Sequence, residues 1–179
     1  MLTIFVPEGE LYDASKNEFI YLKATTLVLE HSLVSISKWE SKWKKSYLNT
    51  SDKTLEENLD YIRCMTITKN VNPLIYKNLP KDVTNRITEY INDPMTATTF
   101  MDDRQSGRQG VVTSEVIYSW MVTFNIPFEC QRWHLNRLLT LIKICSKNAT
   151  PPKKMSNAEK LARYSEINAM RRKAMNSKG

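Results

Sequence analysis

The sequence predicts an α+β fold: a small N-terminal antiparallel β-sheet, then a mainly helical domain, then a basic C-terminal helix or tail. Three observations carry this reading. Short runs rich in β-branched and aromatic residues are confined to about residues 2–30. Apolar residues at helical spacing take over from about residue 32 to residue 148. Beyond residue 149 a Pro-Pro linker opens a segment of different charge, so the chain reads as a globular domain over 1–149 and a linker with a basic helix or tail over 150–179.

"LTIFV" (2–6) and "EFIYLK" (18–23) read as strands, separated by the turn-rich "PEGELYDASKN". "TTLVLEHS" (25–32) adds a third strand to this meander or hairpin. "SLVSISKWESKW" fits either period, and the i,i+4 pair Trp39 and Trp43 favours a helix starting near Ser32. Thr54 and Glu57 form a capping box ahead of an apolar stripe of Leu55, Leu59, Ile62 and Met65 or Thr66. "PLIYKNL" adds one turn or two, and Val83, Ile87, Tyr90 and Ile91 mark a helix that stops before Pro94.

"PMTATTFMDDRQSGRQG" has no stable period and holds two of the four glycines, so it reads as an exposed, mobile loop. Thr113 or Ser114 caps the next helix, with Val116, Ile117, Trp120 and Phe124 on one face. Gln131, Leu135, Leu138, Ile142 and Cys145 then predict one long helix from Phe128 to Ser146, the buried centrepiece of the domain. A last helix, capped by Ser156 or Asn157, carries the sparse apolar positions Leu161, Tyr164, Ile167 and Met170 or Met175.

The net charge of +7 lies almost entirely at the end of the chain. From Lys153 onward eight basic residues face only Glu159 and Glu166, which leaves the first 152 residues nearly neutral. Lys153, Lys154, Arg163, Arg171, Arg172 and Lys173 are therefore candidates for docking an acidic protein surface, or for nucleic-acid phosphates by counterion release. The bland alternative is a solvated tail, and the lone Tyr164 offers little aromatic interleaving for base stacking. Trp39 and Trp43, set among Lys38, Lys42, Lys44 and Lys45, read as core packing, or as partner anchors if exposed.

Catalytic and metal chemistry find little support. Cys130 and His134 stand at i,i+4, but a structural zinc site needs four ligands and His31 is the only other histidine. Cys64, Cys130 and Cys145 are odd in number and widely spaced, which suits reduced thiols rather than a disulfide framework. "SGRQG" lacks the Lys-Ser/Thr of a phosphate loop, and Asp102-Asp103 reads as a solvated loop pair. The reading is of a non-enzyme without cofactor or metal. No apolar run is long enough for a membrane span, and the first residues do not read as a secretory signal.

Five segments carry a resemblance: "LEHSLVSISKWESKWKKSYL", "LDYIRCMTIT", "DPMTATTF", "TSEVIYSWMVTFNIPFECQRWHLNRLLTLIKICSKNATPPKKMS" and "NAMRRKAMNSKG". Together, from about Glu30 to Gly179, they resemble a tail-module protein of tailed bacteriophages and prophages, of the tail assembly chaperone-like kind. The resemblance implies a non-catalytic protein of the host cell cytoplasm. It would keep the helical tape-measure protein from aggregating and recruit tail tube protein around it, and it is compatible with a homo-oligomer. The alternatives are a minor virion structural protein of the tail tip or baseplate, and a nucleic-acid-binding protein acting through its basic tail.

Overall fold

The computed structural model describes residues 1–13, 17–100, 110–149 and 157–175. The fold is α+β, with four short strands at the N-terminus followed by helices. The strands are β1 (Leu2–Val6), β2 (Gly9–Asp13), β3 (Glu18–Leu22) and β4 (Thr25–Leu29). The helices are α1 (Leu33–Trp43), α2 (Leu55–Met65), α3 (Lys81–Asn92), α4 (Ser114–Thr123), α5 (Leu135–Ala149) and α6 (Asn157–Met175). Short 3-10 helical turns cover Pro73–Asn78 and Phe128–Arg132. The chain divides into two compact units, Met1–Ser146 and Lys147–Gly179.

The sheet is not a three-stranded meander, because the stretch expected to be a turn contains β2. β1 pairs antiparallel with β4, and β2 with β3. The two ladders share one register: stepping three residues inward on each strand from Val6↔Thr25 arrives at Gly9↔Leu22. They are successive halves of one ribbon, interrupted at Pro7-Glu8 and Lys23-Ala24. Pro7 lacks the N–H that would continue the ladder.

The buried row changes parity across that break. In the first half Ile4, Val6, Leu27 and Leu29 are buried and Phe5 is exposed. In the second half Leu22 is buried and Leu11 and Ile20 are half-buried, while Glu10, Tyr12, Phe19 and Tyr21 point outward. Gly9 sits where the ribbon closes on the turn Pro73–Asn78; a Cβ there would lie 2.5 Å from Asn78 Nδ2. β4 gains a further neighbour through an antiparallel bridge between Leu29 and Thr66.

The core lies between the β1–β4 ladder and the helices. Leu27, Leu29, Leu33, Ile36, Trp39, Ile117, Met121 and Leu138 show no exposure at all. The Thr54–Glu57 capping box forms, with Thr54 N–H donating to Glu57 Oε2 at 2.7 Å and Glu57 N–H to Thr54 Oγ1 at 3.2 Å. Of the apolar stripe expected behind it, Ile62 and Met65 are buried and Leu59 packs partly buried against the core, but its first member departs. Leu55, at the first helical position, is exposed, and Glu57, Tyr61, Ile62 and Met65 face inward.

The helix expected from Phe128 to Ser146 is two elements. The 3-10 turn ends at Arg132, Trp133 is extended, and α5 starts at Leu135 and runs on to Ala149. Tertiary bonds enforce the break: Leu135 N–H donates to the His31 carbonyl at 2.9 Å, and His134 Nε2 meets the Tyr90 carbonyl at 2.8 Å. Leu135, Leu138 and Ile142 form the buried face of α5. The strand expected over 25–32 stops at Leu29, and Ser32 is the N-cap of α1. The central residues 101–109 of the expected loop lie outside the described residues.

Candidate functional site

The two tryptophans of α1 meet different fates. Trp39 is fully buried, and its indole N–H donates to the Glu57 carbonyl at 2.9 Å. It is a core residue, the first of its two readings, and lacks the exposure that the anchor reading required. One helical turn on, Trp43 is half-buried and its indole N–H donates to Asp60 Oδ2 at 2.9 Å. Lys42 pairs with Asp60 Oδ1 at 2.6 Å and lies 5.2 Å from the Trp43 ring centroid. The expected coating of lysine stems is thus present around Trp43 alone.

Beside this pair runs a groove of about 380 Å³ lined by Lys38, Lys42, Asp60, Arg63 and Cys64. Burial, then the neighbouring Asp60, pushes the Cys64 thiol up to about 11. At neutral pH it is protonated and unsuited to nucleophilic chemistry.

The histidines are interior groups. His31 is buried with Nδ1 2.5 Å from the Tyr61 hydroxyl, and its ring lies edge-on to His134 at 4.9 Å. Desolvation, then the neighbouring His134, lowers the His31 pKa to about 3. His134 is lowered too, chiefly by burial, and its buried Nδ1 has no hydrogen-bond partner among the described residues. Cys130, expected on one helix with His134, lies in the 3-10 turn and packs into the core. Among the described residues no group of three His, Cys, Asp or Glu is placed to hold a metal ion.

Sequence reasoning passed over one apolar surface on α4 and the turn after it. From Val116 to Phe128 the chain carries no charge. Ser114, Ile117 and Met121 face the core. Tyr118 and Val122, at i,i+4, stack along one flank of the helix. Phe128 joins them with its ring centroid 6.3 Å from that of Tyr118, whose hydroxyl donates to Gln131 Oε1 at 2.9 Å. Val122 and Phe128 are more than half exposed. The signal available in the sequence was a helix with more apolar residues than one buried stripe can use.

In the C-terminal unit, every side chain of α6 whose exposure is described is open to solvent, including Leu161, Tyr164, Met170, Arg163, Arg171, Arg172 and Lys173. Lys153 and Lys154 lie outside the described residues. No helix among the described residues is long and apolar enough to cross a membrane. No family model, curated protein or solved structure matches this chain.

Proposed function

We propose that this chain is a non-catalytic protein of phage tail morphogenesis that binds tape-measure protein, and with it tail tube protein, during assembly in the host cytoplasm. The observation that supports this most is the flank of Tyr118, Val122 and Phe128, within a stretch from Val116 to Phe128 that carries no charge. Two exposed apolar side chains, Val122 and Phe128, beside the half-buried Tyr118, Phe124 and Trp120, suit reversible docking of an amphipathic helix. The resemblance of residues from about 30 to 179 to tail assembly chaperone-like proteins supplies the identity of that helix. The exposed basic residues of α6 favour a second reading, nucleic-acid binding.

Mass spectrometry of purified particles, beside a pull-down from infected-cell lysate, separates the readings. Tape-measure protein in the pull-down, with this chain absent from particles, is the expected result. Val122→Lys and Phe128→Lys should each abolish the capture without unfolding the domain. A defined copy number in the particle would make the chain a structural tail component. Recovery of nucleic acid alone, lost at high salt, would move the function to α6.

A further inference from the structure

We propose that α6 of one copy docks on the outer face of the β2–β3 ribbon of a second copy, so that the protein self-associates through an amphiphilic basic helix laid on an acidic aromatic ribbon. The proposal stands apart from the tail-assembly reading and rests on two surfaces that match in chemistry and length.

The ribbon surface is built by register. Tyr12 pairs with Phe19 and Glu10 with Tyr21, so these four side chains emerge on one face. Tyr12, Phe19 and Tyr21 are 51%, 70% and 56% exposed, and the Tyr12 and Phe19 rings lie 5.2 Å apart. The Tyr21 hydroxyl donates to the Glu8 carboxylate, which fixes that acid beside the aromatic row. Glu8 and Glu10, of the same parity as Tyr12, are exposed, with Lys23 the exposed cation among the described residues of this half-ribbon. Exposed aromatics rimmed by carboxylates call for a partner with apolar and cationic groups interleaved.

α6 has that pattern. Leu161, Tyr164, Asn168, Arg171 and Met175 repeat at i, i+3, i+7, i+10 and i+14, a single stripe on a helix, with Arg172 at its edge. Glu166 falls on the opposite side, about 180° away at 100° per residue. Leu161 and Tyr164 are 70% and 65% exposed. The ten residue steps of helix from Leu161 to Arg171 span about 15 Å, against about 14 Å for the four steps of a five-residue strand. A parallel pairing of α6 with itself would set Arg171 against Arg171, whereas the ribbon supplies carboxylates. The named aromatic and acidic side chains of the ribbon and the stripe residues of α6 are each exposed, and a second copy carries both complements.

The test is sedimentation velocity on the full chain with two charge-reversal variants, Arg171→Glu/Arg172→Glu and Glu8→Lys/Glu10→Lys, with circular dichroism confirming that each retains its fold. The wild type should self-associate, more weakly as salt rises, and each variant alone should associate about tenfold more weakly or not at all. Mixing the two variants should restore association, because each then meets a ribbon of opposite charge. A monomeric wild type, variants that associate like the wild type, or a mixture that stays dissociated would each overturn the proposal.

Discussion

Glu40 reaches from α1 to the first residue of α4: its Oε2 accepts the buried Ser114 N–H at 2.7 Å, and its Oε1 accepts the Tyr47 N–H at 2.9 Å. A carboxylate from one helix therefore satisfies the N-terminus of another, a position where negative charge also complements the helix dipole. Ser46 and Asn49 hold the adjacent backbone, bonding to the Val112 carbonyl at 2.6 Å and N–H at 2.7 Å. Glu40→Ala orphans two N–H groups and should cost about 3 kcal/mol in urea unfolding, since hydrogen bonds to charged groups contribute about 1.5–3 kcal/mol each. Glu40→Gln retains one acceptor oxygen and should lose less. Equal midpoints for Glu40→Ala and wild type would show that the bridge contributes nothing.

The contrast between Trp39 and Trp43 predicts opposite behaviour for neighbouring substitutions. Trp39→Ala empties the middle of the core and should cost about 3–5 kcal/mol. Trp39→Phe fills much of the space but removes the indole N–H from the Glu57 carbonyl, which keeps its helical donor, for about 0.5–1.5 kcal/mol. Trp43→Ala, at a half-buried site, should cost clearly less than Trp39→Ala. Thermal or urea unfolding of the three variants orders them. Partner capture that falls with Trp39→Phe while stability is unchanged would return Trp39 to the surface.

The order of these two sites was not legible in the sequence, because both indoles occupy the same phase of one helix. Their fates are decided from α2, where the Glu57 carbonyl takes one indole N–H and the Asp60 carboxylate the other. The same limit explains Leu55 and Glu57. Apolar spacing put Leu55 inside, but Lys45 Nζ at 2.6 Å and the Thr54 cap let the Glu57 carboxylate be buried instead. β2 was hidden because "GELYD" offers one inward apolar residue, Leu11, and its pairing depends on a register set by β1 and β4. What was legible was local: the Thr54 cap, and the periodic stripes Val83, Ile87 and Tyr90 in α3 and Leu135, Leu138 and Ile142 in α5. The aromatic ribbon face and the α4 flank are long-range outcomes.

The capping box gives the simplest quantitative check. Thr54→Ala removes the acceptor for Glu57 N–H and should cost about 1 kcal/mol, the usual effect of losing a Ser or Thr cap. Thr54→Ser keeps the oxygen and should stay close to wild type. A pair of urea melts distinguishes them, and indistinguishable midpoints for Ala and Ser would remove the cap from the account of α2.

The buried histidines predict how the fold responds to acid. In the unfolded chain His31 titrates near 6.5, while in the folded protein burial beside His134 holds it at about 3. Below 6.5 the unfolded state therefore binds a proton that the folded state refuses. Stability is full above that value and falls as pH drops toward 3, by about 1.4 kcal/mol per pH unit for one proton. His134 is lowered as well and contributes with the same sign. Glu57 is also lowered, mainly by its bond to Lys45, but it acts only below the ordinary carboxylate value of 4.5. The window between pH 6.5 and 4.5 thus reports the histidines. Urea unfolding across it should show a proton-linked loss of stability at low and high salt, and His31→Gln should reduce that slope by about one proton. A wild-type stability that is flat over this window would mean that the His31–His134 pair accepts protons without opening the core.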